Sequence, residues 1–215
     1  MRSRLLLTIA SAVLAACSSS PEKAPEAKQS APAVREKPPA EYKVKFETSK
    51  GDFTIDVRRE WAPRGADHFF ELVQEKFYDG VRFHRVVRGF VCQFGINPDP
   101  RIHRLWSTMQ IPDDPVKQKN VKGTVAFAQL GPNSRTTQVF INLRDNSAVL
   151  DKTGFAVFGK VGEGMDVVEK LYYAYGEVAP RGSGLDPAQI EKQGYSYLDR
   201  QYPRLDSITR AAVIK

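Results

Sequence analysis

Residues 83 to 95 read FHRVVRGFVCQFG, two short apolar runs around a glycine turn, with Arg85 in the first run and Gln93 in the second. Neither a plain core hairpin nor a plain surface hairpin needs that combination. Turn length decides what faces what. A two-residue turn at Arg88-Gly89 places Arg85 opposite Cys92, and a three-residue turn, Arg88-Gly89-Phe90, places it opposite Gln93. The longer turn is a common hairpin class, with a glycine available for a positive φ. It gathers Arg85, Val91 and Gln93 on one face, with Phe90 at the turn. The stretch QVFINL, 138 to 143, repeats the theme. Strand alternation puts Gln138 and Phe140 on one face and Val139 and Ile141 on the other. Arg85, Gln93 and Gln138 then become polar fixtures around Phe90, Val91 and Phe140. An apolar pocket with a few fixed hydrogen-bond donors suits a neutral, proline-like ligand better than a charged one. Patterning alone fits equally well with arginine and glutamine side chains that simply meet water.

Other strands surround this hairpin. YKVKFET (42 to 48) and DFTIDV (52 to 57) alternate polar and apolar around Ser49-Lys50-Gly51, a hairpin pattern. GTVAFAQ (123 to 129), TQVFINL (137 to 143) and FAVFGKV (155 to 161) are further short strands between turn-like segments. Ala62 to Tyr78 carries Ala66, Phe69, Phe70, Val73 and Phe77 at helical spacing, with Pro63 where a first turn tolerates it. Met165 to Ala174 is a second helix, with Val167, Val168 and Leu171 as its stripe. Residues 96 to 122, polar and rich in proline, are expected to form a long surface loop. The segment from 175 to Pro187 is rich in glycine and proline, Ala188 to Tyr202 is helix-compatible, and Ile208 to Ile214 reads as a closing strand. Many short strands with two separated helices predict a small, mainly β antiparallel barrel with helices closing its ends.

The first 41 residues belong to a different regime. Arg2 and Arg4 precede the uncharged run LLLTIASAVLAA, which reads as a signal peptide over residues 1 to 16 and is too short for a transmembrane helix. Leu14-Ala15-Ala16-Cys17 looks like a bacterial lipobox, which implies lipidation of Cys17 as the mature N-terminus. Ser18 after that cysteine resembles outer-membrane sorting more than inner-membrane retention. Residues 18 to 41 are mostly Ser, Pro, Ala, Lys and Glu, too few large apolar groups to offset ordering entropy. Residues 17 to 41 therefore read as a lipidated cysteine and a disordered tether with a reach of about 80 Å. Residues 42 to 215 are enough for one domain with a real core, expected to act as a monomer.

Other chemistries find little support. The formal net charge is +7, but the basic residues are scattered rather than grouped in a stripe with aromatics, so nucleic acid is not expected as a partner. Cys92 stands alone once Cys17 is lipidated and reads as a small buried hydrophobe. His68, His84 and His103 lack metal-ligand spacing, so neither metal nor cofactor is expected. The glycines of Gly159 to Gly164 mimic a phosphate loop but sit at a strand-to-helix turn.

Four segments, in order, resemble the cyclophilins. FHRVVRGFVCQFG is similar to the family signature, an FHR segment followed by GF and a glutamine. FFELVQEKFYDGVRFHR resembles the helix and strand before it, FAQLGPNSRTTQVFINL the alanine–amide run with GPN and glutamine-x-phenylalanine, and VLDKTGFAVFGKVGEGMDVVEKL the later strand and helix. The resemblance covers about 42 to 174. It implies a closed eight-stranded antiparallel barrel with two capping helices, and peptidyl-prolyl cis/trans isomerase activity on proline-containing polypeptides. Position by position it makes Arg85 the catalytic arginine and Phe90, Val91, Phe140 and Leu150 the proline pocket. Gln93 and Gln138 become the amides that hold the arginine and the substrate backbone. Ala128 and Gln129 match a pair that contacts the substrate chain, with glutamine in place of asparagine. Phe155 stands where many eukaryotic members have histidine.

With the signal peptide, the resemblance implies a lipid-anchored isomerase assisting envelope protein folding. The alternative is a non-catalytic module that binds proline-containing segments. Three departures stand out. Arg88 occupies a place often held by proline. Val149 stands where many eukaryotic members have a tryptophan that helps bind cyclosporin, which implies weak inhibition. The segment from 175 to about 205 is longer than a minimal member needs, and is expected to pack beside the barrel as an extra helix-containing element.

Overall fold

Residues 37 to 214 are described by a computed structural model of the chain. The signal peptide, Cys17 and the tether up to residue 36 lie outside the described residues. The domain begins with β1 (Glu41–Thr48) and β2 (Gly51–Arg58), paired in antiparallel register with Val44 opposite Ile55 and Phe46 opposite Phe53. Alternation sends Tyr42, Val44 and Phe46 inward, and the Phe46 and Phe53 rings stack at 4.9 Å. Helix α1 (Pro63–Gln74) lays Ala66, Phe69, Phe70, Leu72 and Val73 onto that core. Its first turn has no capping side chain of its own. Asp114 supplies the cap from a distant loop, accepting from Arg64 N at 3.1 Å and Gly65 N at 2.9 Å.

The hairpin follows as β3 (Arg85–Val87) and β4 (Val91–Phe94), with Arg85 opposite Gln93 and Val87 opposite Val91. This is the three-residue turn, with Gly89 at φ 67°. Next come α2 (Pro100–Ser107), β5 (Thr124–Phe127), β6 (Val139–Asn142), α3 (Ser147–Leu150), β7 (Val157–Val161) and α4 (Met165–Glu169). The chain ends with α5 (Pro187–Gln193), α6 (Tyr195–Gln201) and β8 (Ile208–Ile214).

The eight strands form one antiparallel sheet in the order β3-β4-β6-β5-β7-β2-β1-β8. It curls but does not close into a continuous ladder, which corrects the expected closed barrel. Its ends, β3 and β8, share no ladder; the residues before β3 instead meet Asp206 and Ile208, the first residue of β8. Gly80 N donates to Ile208 O (2.9 Å), Ile208 N to Val81 O (2.8 Å) and Phe83 N to Asp206 O (3.0 Å).

Three other expectations need correction. Residues 96 to 122 are not all loop, because Pro100 occupies the first turn of α2, where its missing N–H costs nothing, and Asp99 caps it through Arg101 N at 2.8 Å. The second helix stops at Glu169 rather than Ala174, since Asp206 captures Tyr172 N at 2.7 Å. The C-terminal helical stretch is two helices, broken at Gly194 with φ 62°. Around that segment Val178, Leu185, Ile190, Tyr197, Leu198 and Leu205 form a second small core with Ile96 from the loop after β4.

Candidate active site

Strand alternation separates two apolar clusters on the β4–β6–β5 part of the sheet. Cys92, Phe94, Val139 and Ile141 enter the main core. Val91, Ala126, Phe140 and Leu150 form a separate cluster, with Phe90, Ala128 and Phe155 half-buried against it. Gln93 lies opposite Phe140 in the β4–β6 ladder, and Ala126 opposite Phe140 in β5–β6. Phe155 meets Phe140 edge-on, with ring centroids 5.5 Å apart.

The walls are tied down by polar contacts. The Phe90 carbonyl accepts from Leu143 N and from Asn146 Nδ2, both at 2.9 Å. Asn146 also leads into α3, which carries Leu150, and its Nδ2 donates to Asn142 Oδ1 at 2.7 Å. Thus the β3–β4 turn and the Leu150 wall are braced by the same asparagines.

Arg85 lies at the edge of this cluster, with Cζ 5.4 Å from the Phe90 ring centroid. Its NH1 donates to Gln93 Oε1 at 2.9 Å, and Gln93 Nε2 donates to Gln138 Oε1 at 2.8 Å. The three polar residues picked out by pattern are therefore one connected relay. On the other edge of the guanidinium, Nε and NH2 donate to the two oxygens of Glu177, at 2.7 and 2.6 Å. The pairing with Arg85 holds the Glu177 carboxyl below its ordinary range, against the opposing pull of burial. Beside the relay, burial first and the Arg85 charge second push the His84 imidazole down to about 3, partly offset by a hydrogen bond with Gln138. His84 is a buried neutral ring.

Ala128 N donates to Gln138 O at 2.8 Å, bringing the alanine–glutamine pair to the same rim. Gln129 turns its Nε2 onto Thr153 O at 3.0 Å, and its buried Oε1 has no partner. Val149 is exposed beside buried Leu150. Among the described residues no group of His, Cys, Asp and Glu could hold a metal ion. Cys92 is buried in the main core, where burial pushes its thiol far up, which leaves it without nucleophilic character.

Two partners had no signal in the pattern. Glu177 sits in a glycine- and proline-rich stretch without periodicity. Tyr173 takes Arg88, whose guanidinium lies 4.4 Å from its ring centroid and donates to its hydroxyl at 3.1 Å. Arg88, which sequence left without a role, joins the hairpin turn to the C-terminal segment.

The family model for cyclophilin type peptidyl-prolyl cis-trans isomerases matches residues 43–192. Peptidyl-prolyl cis-trans isomerase B of Escherichia coli is 35% identical over 141 residues, 60% of this chain and 82% of that protein. A peptidyl-prolyl cis-trans isomerase of Acinetobacter baylyi is 36% identical over 138 residues, 60% of this chain and 70% of its own length. Among solved structures, a cyclophilin type peptidyl-prolyl cis-trans isomerase of Cryptosporidium parvum superposes with a TM-score of 0.58 at 18% identity. It covers 81% of this chain and 98% of that one, a likeness of fold.

Proposed function

Since the chain belongs to the cyclophilin-type peptidyl-prolyl cis-trans isomerases, we propose that Arg85 is the group through which it accelerates rotation about X-Pro bonds. The chain is a peptidyl-prolyl isomerase of that family, and the residue roles that follow are our reading of the geometry. Rotation about a peptide bond is slow because amide resonance raises a barrier of roughly 18–20 kcal/mol. No covalent intermediate or proton transfer is required. The barrier falls if the proline nitrogen pyramidalises and accepts a hydrogen bond. A guanidinium at the wall of an apolar pocket supplies that donor where its field is poorly screened.

The observation that carries this reading is the junction of Arg85 with the Phe90, Val91, Phe140 and Leu150 cluster. The proline ring occupies the apolar side. Gln93 and Gln138 hold the guanidinium and the substrate backbone, while Ala128, Gln129 and Phe155 line the path of the chain on either side. Turnover of an X-Pro peptide by the full chain, followed by exchange NMR, tests it with Arg85→Ala alongside. Equal catalysis by the variant, or tight peptide binding without isomerisation by the wild type, overturns it.

We further propose that Cys17 is lipidated and that the tether holds the domain on the periplasmic side of an outer membrane, where it assists envelope proteins. The support is the Arg2/Arg4 leader, the Leu14–Cys17 box and Ser18. Among the described residues no helix is long and apolar enough to cross a membrane. Labelling with an alkynyl fatty acid in a Gram-negative host is expected for the wild type and lost in Cys17→Ser. Label retained by that variant sinks the anchor.

A further inference from the structure

The connection between α4 and β8, residues 170 to 207, does more than span a gap. It packs into a small apolar core with Ile96 from the loop after β4 and is moored to the strand end before Arg85. Tyr195 Oη donates to Ile96 O at 2.7 Å and accepts from Arg82 N at 2.8 Å. Arg82 also pairs with Asp199 and lies 5.4 Å from the Tyr195 ring centroid. From this scaffold a single carboxylate, Glu177, reaches the guanidinium of Arg85.

That carboxylate is itself held. Val178 N donates to Glu177 Oε1 at 3.0 Å, and Gly184 N donates to Glu177 O at 2.9 Å. The backbone winds so closely here that a Cβ at Gly182 or Gly184 would fall 2.4 or 2.6 Å from Glu177 O. The turn requires glycine at both places. It is a fixed mount rather than a loose flap.

We propose that Glu177 is a positioning residue for Arg85, locking its guanidinium in the orientation that meets the X-Pro bond. This rests on Arg85 being the group that polarises that bond. A guanidinium has five N–H donors in a planar fork. Glu177 takes two and Gln93 a third, which leaves one free donor on each terminal nitrogen. Those two are the ones the substrate can use, and the bidentate clamp on Nε and NH2 fixes their plane. Without the carboxylate, a long flexible cation 8% exposed would be held by one amide and drawn toward water. The clamp shares part of the positive charge, but a donor already aimed at the reacting amide needs no reorganisation during rotation.

The test uses the full chain and a proline-containing tetrapeptide, measured at equilibrium by exchange NMR, with kcat and KM separated. Glu177→Gln preserves shape and removes the ionic clamp. The expected result is a fall in kcat of about tenfold with KM changed less than about twofold. The Arg85 Nε–H resonance should lie downfield in the wild type and return toward free arginine in the variant. Gly184→Ala keeps every charge but pushes Glu177 O aside, so kcat should fall in the same direction even if Glu177→Gln fails to fold. An unchanged kcat in folded Glu177→Gln overturns the proposal, and a raised kcat overturns it by showing the carboxylate to be a brake. A wild type with no turnover instead removes the isomerase reading, and the positioning role with it.

Discussion

Among the described residues two arginines leave water, and nearly to the same extent: Arg135 is 1% exposed and Arg85 8%. Burial therefore does not distinguish them; their partners do. Arg135 NH1 donates to Asp114 Oδ2 at 3.1 Å, its NH2 donates to the Pro112 carbonyl, and Asp113 Oδ1 lies 3.4 Å from its Nε. The same Asp114 caps α1 through Arg64 N and Gly65 N. Arg135 and Asp114 thus bolt the 108–122 loop to the helix that covers the core. Arg85 also meets a carboxylate, but its other neighbours are an amide and an aromatic wall. A buried cation set among carboxylates and a carbonyl is structural; one that borders an apolar cluster is equipped for a ligand.

That contrast breaks most visibly in Arg135→Ala. Removing one member of a buried pair costs about 3–5 kcal/mol, and Asp114 would lose its ion partner while still capping α1. A midpoint about 10 °C lower is expected in a thermal melt, with kcat per folded molecule close to wild type. Arg85→Ala should show the reverse. Turnover is expected to fall at least about 100-fold, the scale of losing a preorganised donor. Its stability should fall by only about 1 kcal/mol, because the Glu177 side chain left behind is 26% exposed. Equal loss of stability in both variants would erase the distinction.

Acid tests both sites at once, since each arginine has a histidine beside it. His68, whose Nε2 is 2.6 Å from Thr136 O, is held below its usual pKa by burial, with a contribution from Arg135. His84 is held at about 3 by burial and by Arg85. A depressed native pKa means that the unfolded chain binds protons the folded chain refuses, so stability is full above about pH 6.5 and falls as pH drops toward 3. Glu177, also depressed, adds loss in the same direction at lower pH. Between pH 6.5 and 5, His84 alone should cost about 2 kcal/mol. Denaturant titrations at those two values check it, and a slope unchanged in His84→Gln would contradict the assignment.

How much of this was legible in sequence depends on the range of each contact. The Arg85–Gln93 register could be read because turn length and strand period fix it locally, and the pocket face of Gln138 and Phe140 followed from the same alternation. Leu150 and Phe155 carried no such period and came only through resemblance. Arg135 sat within an unremarkable turn-like string. Its burial depends on Asp114, which lies 21 residues away on an irregular loop. Glu177 lies 92 residues from Arg85, and only the folding of the C-terminal segment onto the hairpin joins them. The long loop hid α2 because Pro98 and Pro100 read as breakers, although a proline in the first turn is compatible with a helix.

Gln93 gives the finest cut of the comparison. Arg135 is held by carboxylates and a carbonyl, whereas the inner edge of Arg85 is held by an amide that spends both its functions, Oε1 on Arg85 and Nε2 on Gln138. A neutral acceptor fixes the guanidinium without drawing further on its charge, which the substrate must feel. Gln93→Met keeps length and apolar contact but removes both hydrogen bonds. The expected outcome is a kcat about tenfold lower, or about 1.4 kcal/mol of transition-state stabilisation. The melting midpoint should move by no more than about 3 °C, since Gln93 is only half-buried. Gln93→Glu keeps an acceptor but adds a second negative charge beside Arg85, and should lower kcat further still. If Gln93→Glu were instead as active as the wild type, the charge left on Arg85 would not matter, and the two arginine sites would differ only in what they touch.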